Sequence, residues 1–432
     1  MAEAIDRRDL LKLGAAAGLS AATAAAAPKP LRIGFVGTGG RGTGLIRNLL
    51  RIEGVELPAL CDINEERLGR AQDLVEQAGQ PRPEGYSRGE TDFLRLCDRD
   101  DLDLVINATP WKWHTPIAVA AMKAGKHTAT EVPAAQTVEE CWELVETSEQ
   151  TGRQCAILEN DCYYRHVLFA LNIIRAGLLG EVLYAEGGYM HDIRDVKFSV
   201  GRRGEPWRLE HSVTRNGNLY PTHPLGPIAW WMDINRGDQF THLVSMSSKA
   251  RSLKAYAARE FGPEDDRARR DYALGDVNTT MIRTEKGRTI TLYHDTNTPR
   301  VKEHIVRIQG SRGVYNDMLN LIYIDGVSPE AHRWESADPY KKKYDHQLWK
   351  AQEQAAEGSG HGGGDYMLLY RLTKNLMEEK PLDIDVYDAA AWSVIVPLSE
   401  DSVANRSKPV DIPDFTRGKW KTRPPIDPDA II

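Results

Sequence analysis

Short apolar runs recur along the first part of the chain, each long enough for one strand. They lie at residues 31–37, 55–62, 102–109, 126–132 and 154–160. Helices are predicted in the intervals between them, at residues 42–51, 65–78, 116–124 and 137–151. Strands separated by helices of this length are typical of a parallel, doubly wound sheet. We therefore predict an α/β domain over residues 31–160.

The pattern of strands and helices changes after about residue 160. A helix is predicted at residues 164–176, and strand-like runs follow at residues 182–191, 242–248, 277–283, 289–295 and 305–310. The turn sequences "EKGR" and "GSRG" favour an open, mostly antiparallel sheet. Helices at residues 366–379 and 386–404 close the chain. This arrangement predicts a second domain of α+β type over residues 161–432, which we expect to bind the substrate.

The N-terminal segment differs in character from the rest of the chain. Residues 7–27 read "RRDLLKLGAAAGLSAATAAAA" and combine paired arginines with a weakly apolar stretch. This composition indicates a twin-arginine export signal, although a disordered Ala-rich leader has similar residues. No later apolar run is long enough to span a bilayer. We therefore exclude residues 1–30 from the fold and expect an exported protein, periplasmic or extracellular.

Composition and charge narrow the classes of function. The chain has 432 residues, of which 41% are hydrophobic and 27% charged, and this is enough for two domains with their own cores. The formal net charge is -7 and no lysine and arginine stripe is present, which argues against a nucleic-acid partner. The five cysteines include no CxxC pair, so we expect small buried side chains rather than a disulfide framework or a zinc site.

The sequence "GTGGRG" follows the first predicted strand and opens the first predicted helix. It sets Gly37, Gly39 and Gly42 at the GxGxxG spacing of dinucleotide-binding loops. In that motif the glycines permit a tight turn, admit a pyrophosphate and pack the helix against the strand. Asp62 ends the second predicted strand, where a carboxylate holds ribose hydroxyls and disfavours the 2′-phosphate of NADP. We predict an NAD site; the alternative is a glycine-rich turn without a ligand.

A further candidate for the cofactor site is the stretch "TPWKWH" at residues 109–114. It follows a strand of the predicted parallel sheet, at the edge where ligands bind in such folds. Trp111 and His114 are therefore candidates to line the nicotinamide end of the site. Taken as bare residues, they are more often packing side chains.

Side chains able to carry protons occur in three short stretches. The sequence "GYMHD" sets Tyr189 and His191 two residues apart on a predicted strand, and hence on one face. The sequence "YPTH" sets Tyr220 and His223 three residues apart at a predicted helix start, and Glu159 lies just past the last strand of the parallel sheet. By residue type alone, such a Tyr–His pair is more often a structural corner than a reaction centre. No third ligand is spaced to join the adjacent His–Asp pair in a metal site.

Eight short stretches between residues 39 and 366 resemble those of a known family. They read "GGRG", "WKWH", "EVP", "ENDCYYR", "GGYMHDIR", "WR", "GNLYPTHPLGP" and "GHGGGDY", in a consistent order. The chain resembles the Gfo/Idh/MocA oxidoreductase superfamily, and within it glycoside hydrolase family 109, the NAD-dependent α-N-acetylgalactosaminidases. The resemblance implies a Rossmann domain followed by a domain with an open sheet, and a small-molecule glycoside as substrate.

The resemblance also implies which residues contact the cofactor and the sugar. NAD would be held by Gly40, Arg41, Asp62, Trp111, His114, Glu131, Val132 and Asn160. The sugar would be contacted by Tyr189, Arg208, Tyr220 and His223. Many superfamily members carry Glu-Lys-Pro where this chain has "EVP", with Val132 in place of the lysine. Its proton chemistry must come from other residues, for which Tyr220 and His223 are candidates.

The reaction implied by the resemblance is an indirect hydrolysis that regenerates the cofactor. Oxidation at carbon-3 of the sugar acidifies the proton at carbon-2, the aglycone leaves from carbon-1, and water adds before the ketone is reduced. We assign His223 to the 3-hydroxyl, Tyr189 to carbon-2, and His191 with Glu159 to the leaving group. Arg208 is assigned to the enolate oxygen or to sugar hydroxyls. A cofactor regenerated in each turnover should stay bound, which agrees with export of a folded, preloaded protein.

Two other functions are weighed against this one. A sugar dehydrogenase of the same superfamily would share the fold and the cofactor, but Val132 stands where its lysine is expected. A non-catalytic sugar-binding protein could keep NAD for structure, but the Tyr and His residues argue against that. A homo-oligomer is expected by analogy, because open-sheet faces in the superfamily commonly pair.

Overall fold

The structure, a computed structural model, describes residues 29–199 and 204–428. Its first sheet consists of six parallel strands, all in the first of these two ranges. The strands are β1 Leu31–Val36, β2 Val55–Cys61, β3 Glu84–Tyr86, β4 Leu104–Asn107, β5 His127–Thr130 and β6 Cys155–Ile157. Their order is β3-β2-β1-β4-β5-β6, so the chain changes its direction of travel between β1 and β4. In sheets of this order, ligands bind in the crevice beyond the carboxyl ends of those two strands.

Helices connect successive strands of this sheet. They are α1 Gly40–Leu49, α2 Glu65–Gln77, α3 Phe93–Cys97, α4 His114–Lys123 and α5 Val138–Thr151. The start of α5 is fixed by Thr137, whose hydroxyl accepts from the backbone N–H of Glu140 at 3.2 Å. Short 3-10 turns, Trp111–Trp113 and Asn160–Tyr163, follow β4 and β6. Two of the stretches predicted for the site therefore lie at the carboxyl edge of the sheet.

Nine strands form the second sheet in the described part of the chain. They are β7 Val182–Met190, β8 Phe240–Ser247, β9 Asn278–Thr284, β10 Thr289–Asp295, β11 Val306–Gly310, β12 Gly313–Asn316, β13 Leu321–Ile324, β14 Glu335–Ser336 and β15 Val410–Asp411. Their order is β14-β13-β12-β11-β7-β10-β9-β8-β15. Neighbours are antiparallel except β7 and β10, which run parallel. β7 is therefore flanked by β10 on one side and by β11 on the other.

Along the chain, the helices of the second half precede, separate and follow the strands of this sheet. They are α6 Arg165–Arg175, α7 Arg194–Phe198, α8 Trp207–Thr214, α9 Thr222–Trp231, α10 Ser252–Phe261, α11 Asp266–Arg269, α12 Asp338–Tyr344, α13 Gln347–Ala356, α14 Gly364–Met377, α15 Val386–Ser393 and α16 Ile395–Ala404. The 3-10 turns His361–Gly363 and Lys419–Lys421 precede α14 and follow β15.

Two glycines allow α9 to pack closely against the rest of the protein. A Cβ on Gly187 in β7 would lie 2.6 Å from the Cβ of Pro224 in α9. A Cβ on Gly226 in α9 would lie 2.8 Å from the Cγ of Glu159. Side chains at either position would force the packed elements apart. α9 is therefore held between β7 and the turn after β6, and this fixes the position of His223 in its first turn.

The predicted fold class is confirmed, because a doubly wound parallel sheet is followed by a mostly antiparallel one. The predicted domain boundary at residue 160 stays a prediction, since the residues from Leu31 onward form one compact unit by their contacts. The five cysteines are buried and their thiols are free. The predicted export signal at residues 7–27 lies outside the described residues.

The helix predicted at residues 386–404 is wrong in one respect, because the structure has two helices there. α15 ends at Ser393 and α16 begins at Ile395. Pro397 lacks the N–H that a continuous helix would direct to the carbonyl of Ser393. The hydrogen-bond ladder is therefore interrupted at this point, and the chain turns between the two helices.

Candidate active site

The glycine loop between β1 and α1 has the shape of a dinucleotide cradle. Gly37 has a φ of +90°, which favours glycine, and a Cβ there would lie 2.7 Å from the backbone of Ala108. A Cβ on Gly42 would lie 1.8 Å from the carbonyl oxygen of Gly37. On Gly39 it would meet its nearest described atom at 3.8 Å, and on Gly40 it would meet none within 4 Å. The loop is therefore closed towards the protein and open on the side where a pyrophosphate binds.

A helix start and a carboxylate complete this cradle. Among the described residues α1 has no side-chain cap, so the N–H groups of its first turn are available to an anion. Asp62, directly after β2, accepts hydrogen bonds from the backbone N–H of Thr38 at 2.7 Å and of Asn64 at 2.8 Å. These bonds hold the carboxylate beside the loop, and its oxygens keep lone pairs for ribose hydroxyls. The residues present therefore fit NAD.

Arg41 ties the glycine loop to two distant segments. Its Nε donates to Oε1 of Glu131 at 2.5 Å, and its Nη1 donates to Oδ2 of Asp365 at 2.7 Å. Nδ1 of His361 lies 2.9 Å from the same Asp365 oxygen, and Oε2 of Glu131 accepts from the N–H of Val132. Burial alone would raise the pKa of Asp365, but His361 and Arg41 hold it below its usual value. We call Arg41, Glu131, His361 and Asp365 the Arg41 cluster.

Two other residues predicted to contact NAD are bonded within the protein. His114 is buried, with Nδ1 2.7 Å from the carbonyl oxygen of Pro133 and Nε2 2.8 Å from that of Thr109. Burial lowers the pKa of His114. Asn160 is also buried, and its Nδ2 donates to the hydroxyl of Tyr164 at 3.2 Å. Both side chains hold together loops at the carboxyl edge of the parallel sheet.

Trp111 and Tyr220 form an aromatic wall, against which an arginine is packed. Their ring centroids lie 5.6 Å apart and their planes differ by 24°. The guanidinium carbon of Arg208 lies 5.2 Å from the Trp111 ring centroid and 5.1 Å from that of Tyr220. Arg208 also forms an ion pair with Glu205. Because cation–π contacts and an ion pair act on the same guanidinium, Arg208 is fixed beside the aromatic wall.

Glu159 and His223 form a buried carboxylate–imidazole pair. Nδ1 of His223 lies 2.7 Å from Oε1 of Glu159, a residue that is 0% exposed. Burial alone would lower the pKa of His223, but the carboxylates of Glu159 and Asp161 outweigh it and raise the pKa to about 9. Burial raises the pKa of Glu159. His223 therefore holds a proton at neutral pH that the neighbouring carboxylates stabilise.

A second carboxylate–imidazole pair lies beside the first. Oδ2 of Asp161 is 3.2 Å from Nδ1 of His304, and the rings of His304 and His223 are stacked with centroids 5.8 Å apart. Burial alone would raise the pKa of Asp161, but His223 and His304 outweigh it and lower the pKa to about 2. Nε2 of His304 is buried and has no partner among the described residues. We call Glu159, Asp161, His223 and His304 the carboxylate–histidine cluster.

Tyr189 lies at the centre of these rings. Its ring centroid is 4.7 Å from that of Tyr220, 5.5 Å from that of His223 and 6.1 Å from that of His191. The pairing of β7 with the segment that leads into β11 sets His304 directly opposite Tyr189, with ring centroids 5.0 Å apart. Burial raises the pKa of Tyr189, so its phenol keeps the proton unless a base accepts it. The surrounding imidazoles are suitable bases.

The carboxylate–histidine cluster has the residue types of a metal site as well. One atom from each of Glu159, Asp161 and His223 lies within 4.8 Å of the others. However, His223 and His304 each already occupy an oxygen of one carboxylate. The protonated imidazole of His223 supplies a positive charge beside both carboxylates. We interpret the cluster as a set of proton carriers.

Two family models match the chain, one for each of its sheets. The model described as "Oxidoreductase family, NAD-binding Rossmann fold" matches residues 31–158, and "Glycosyl hydrolase 109, C-terminal domain" matches residues 163–422. A "Glycosyl hydrolase family 109 protein" of Solibacter usitatus is 48% identical over 436 residues, covering 97% of this chain and 99% of the relative. The chain belongs to glycosyl hydrolase family 109. The predicted membership is confirmed, and family 109 makes the protein a glycoside hydrolase with NAD as its cofactor.

Other relatives agree with family 109. An "Alpha-N-acetylgalactosaminidase" of Tannerella forsythia is 44% identical over 413 residues, covering 91% of this chain and 88% of the relative. Among solved structures, an NAD-binding oxidoreductase from Klebsiella pneumoniae superposes with a TM-score of 0.70 at 16% identity, covering 89% of this chain and 99% of that one. A levoglucosan dehydrogenase in complex with NADH and L-sorbose has a TM-score of 0.67 at 21% identity, covering 89% and 100%. At these identities the solved structures show a shared fold.

The structure brings most of the residues predicted for a family 109 site close together. Arg41, at the start of α1, bonds Glu131, and the rings of Tyr189, His191, Tyr220 and His223 lie together. Asp161 and His304 were missed as functional residues. Asp161 stands two residues after Glu159, and this spacing could have identified it from the sequence. No sequence signal identifies His304, because its position depends on strand pairing.

None of the helices in the described ranges combines the length and the apolar character that a bilayer crossing requires.

Proposed function

We propose that this chain hydrolyses α-N-acetylgalactosaminides by oxidation at carbon-3, deprotonation at carbon-2, elimination of the aglycone and addition of water. The observation that carries the proposal is the pair of Glu159 and His223, held at 2.7 Å next to the ring of Tyr189. The name of the Tannerella forsythia relative supports the choice of sugar.

The proposed route requires three proton-transferring groups on the protein. NAD, when bound, supplies the reversible oxidation of the carbon-3 alcohol to a ketone. The ketone acidifies the proton on carbon-2, and its loss expels the oxygen on carbon-1. The protein must therefore provide one base for the 3-hydroxyl, one base for carbon-2 and one acid for the leaving oxygen.

We assign the 3-hydroxyl to His223. With a pKa of about 9, its basic form increases as the pH rises, and its protonated form can return a proton when the ketone is reduced. Glu159 is fully buried behind this ring, so we assign it to positioning His223 rather than to the leaving group. This revises the role that we expected for Glu159 from the sequence.

We assign carbon-2 to Tyr189, whose proton passes to a neighbouring imidazole. His304 stands opposite it in the sheet, and the carboxylate of Asp161 bonds the far side of that imidazole. This arrangement supplies the basic neighbour that a tyrosine with a raised pKa requires. Tyr220 packs on Tyr189 at 4.7 Å and keeps the phenol in place.

We assign the leaving oxygen to His191 and the stabilisation of negative charge to Arg208. Nδ1 of His191 has no partner in the described part of the chain, so this nitrogen is left for a substrate atom. Burial lowers the pKa of His191, which makes its protonated ring a stronger acid towards the leaving oxygen. The fixed guanidinium of Arg208 suits an enolate oxygen or sugar hydroxyls.

The decisive experiment uses the purified, NAD-loaded protein in deuterated water. We expect 4-nitrophenyl N-acetyl-α-D-galactosaminide to release nitrophenol, with deuterium at carbon-2 of the sugar and no net NADH. NADH that accumulates with an intact glycoside would instead support a sugar dehydrogenase. Binding without either product would support a non-catalytic sugar-binding protein.

Two variants, assayed in the same experiment, test whether His223 takes part in the reaction. His223→Ala should retain NAD but lose nitrophenol release by about 100-fold or more. His332→Ala, at an exposed histidine, is the matched control and should leave both unchanged. Unchanged activity of His223→Ala would remove this residue from the mechanism.

We also propose that the protein is exported by the twin-arginine route with NAD already bound. The proposal rests on the paired arginines, Arg7 and Arg8, and on a cofactor that each turnover regenerates. Replacement of both by lysine should keep the protein in the cytoplasm of a host with an active twin-arginine system. Unchanged export of that double variant would contradict the proposal.

A further inference from the structure

A small cavity opens beside the aromatic wall, and no residue of the carboxylate–histidine cluster lines it. Arg208, Trp111 and Tyr220 line it, together with Lys197, His211 and His294. Its free volume is about 20 Å³, enough for one small polar group. The described residues that line it include no carboxylate. The cavity is therefore bordered by two cationic side chains and by neutral donors.

Lys197 is the unusual side chain of this cavity. It is 2% exposed, and its ammonium donates to Oγ1 of Thr296 at 2.9 Å and to Oδ1 of Asn297 at 2.6 Å. Both partners are neutral, and among the described residues no carboxylate lies within ion-pair distance. A buried ammonium normally has an anionic partner, and it has three hydrogens to donate. Burial, followed by the charge of Arg208, lowers the pKa of Lys197 to about 7, as expected for an ammonium without such a partner.

Three carboxylates are near enough to act electrostatically on Lys197, and all three are hydrogen-bonded to other groups. Asp295 accepts from its own loop and from Arg300, and Asp192 is paired with Arg194. Asp276 accepts from the backbone and the hydroxyl of Ser252. None of these three carboxylates is hydrogen-bonded to the Lys197 ammonium, and Glu205 is paired with Arg208, so a ligand can supply the ammonium with an anionic partner.

The other lining side chains are suited to the same kind of ligand. His294 is buried, and its Nδ1 has no partner among the described residues. Burial lowers the pKa of His294 to about 3 and that of His211 to about 4, so both rings are neutral and each carries one N–H. Arg208 adds a second fixed cation. The set of donors matches the oxygens of a carboxylate.

We propose that this cavity is a subsite for a carboxylate carried by the sugar, with Lys197 as its partner, so that the preferred substrates are N-acetylgalactosaminuronides. The inference rests on the proposed function, because Arg208 and Tyr220 border both the cavity and the predicted sugar position. A carboxyl group at carbon-6 differs from the neutral sugar only in the group that the cavity would recognise.

The test compares two glycosides that differ at one carbon. They are 4-nitrophenyl N-acetyl-α-D-galactosaminide and the compound made from it by oxidising carbon-6 to a carboxylate. Binding to the NAD-loaded protein is followed by tryptophan fluorescence, since Trp111 lines the cavity, and by calorimetry. We expect the acid to bind at least about tenfold more tightly than the neutral compound, as is usual for a buried charged hydrogen bond.

Two variants distinguish a loss of the subsite from a general effect of removing a buried lysine. Lys197→Met should abolish the preference for the acid and leave binding of the neutral compound within about twofold. Lys126→Met removes another buried lysine, which donates to the carbonyl of Ala124, and should keep the preference. If Lys197→Met does not retain NAD, Lys197→Gln takes its place in the test, because the Gln amide can still bond the oxygens of Thr296 and Asn297.

The outcomes also separate this inference from the proposed function. Equal binding of both compounds to the unmodified protein would overturn the subsite, even if the neutral glycoside is hydrolysed. Competition by acetate as strong as by the acidic sugar would overturn it too, since the cavity would then hold a free anion. A preference for the acid that depends on Lys197 supports the subsite, even if neither compound is hydrolysed.

Discussion

Nδ1 of His223 lies 2.7 Å from Oε1 of Glu159, although 64 residues separate them in the chain. The contact exists because Gly226, one turn further along α9, leaves room for the Glu159 side chain. The Tyr and His stretch at the start of α9 would otherwise be an ordinary helix start. The buried carboxylate beneath it gives the imidazole a raised pKa and a fixed orientation.

Glu159→Gln should lower the pKa of His223, because the largest opposing charge is removed. We expect a fall of about 1–2 units from the value near 9. The basic form of His223 increases as the pH rises through its pKa, so kcat/KM should rise at a lower pH in the variant than in the parent protein. Asp161 and Glu131 remain in place and limit the shift. Histidine NMR titration and a pH profile of kcat/KM measure it.

The control for this variant is Glu181→Gln, at an exposed carboxylate directly before β7. It should leave the histidine titration unchanged. A pH profile that is the same in Glu159→Gln and in the parent protein would show that His223 does not set the rate.

Tyr189→Phe should stop deuterium exchange at carbon-2 while keeping the aromatic packing. The loss of the phenol removes the proposed base, and we expect kcat to fall by about 100-fold or more. Mass spectrometry of the sugar formed in deuterated water measures the exchange. Tyr184→Phe, on the same strand but bonded to Glu186, is the matched control. Exchange that persists in Tyr189→Phe would assign carbon-2 to another residue.

Gly42→Ala should destabilise the protein and abolish NAD binding. Its Cβ would stand 1.8 Å from the carbonyl oxygen of Gly37, and relief of that overlap requires the loop to move, at a cost of about 3 kcal/mol. Thermal unfolding and the NAD content of the purified protein measure the effect. Gly44→Ala, in the same helix and free of such neighbours, should instead stabilise by about 0.5–1 kcal/mol. Equal effects of the two substitutions would contradict the proposed role of Gly42.

Arg41→Met and Asp365→Asn should each speed the release of NAD and lower the free energy of unfolding. Each breaks the same ion pair, and because the Arg41 side chain is 26% exposed we expect about 1–3 kcal/mol rather than the larger cost of a fully buried pair. The double variant should be little worse than Arg41→Met alone, which also breaks the pair with Glu131. A double-mutant cycle on unfolding and on NAD dissociation measures the coupling. Additive effects would mean that the two residues act independently.

The sequence was sufficient for the parallel sheet and for the glycine loop, because both depend on local patterns. Strand length, helix length and the spacing of Gly37, Gly39 and Gly42 are readable within a few residues. The same is true of Tyr189 and His191, since alternate residues of a strand share a face.

The rest of the site depends on contacts between distant segments. His304 reaches Tyr189 only through the register between β7 and the segment before β11, and no local pattern encodes that register. Lys197 lies in a helix of five residues that apolar periodicity does not reveal. The contacts of His361 and Asp365 with Arg41 follow from tertiary packing, which no local pattern encodes.

The ion pair between Arg41 and Asp365 joins residues that are 324 positions apart. During synthesis, a chain shorter than residue 365 has its glycine loop and Glu131 but lacks the second carboxylate that holds Arg41. Firm retention of the dinucleotide therefore has to wait until residue 365 has been made. A chain released before that point should exchange its cofactor more readily than the 432-residue chain.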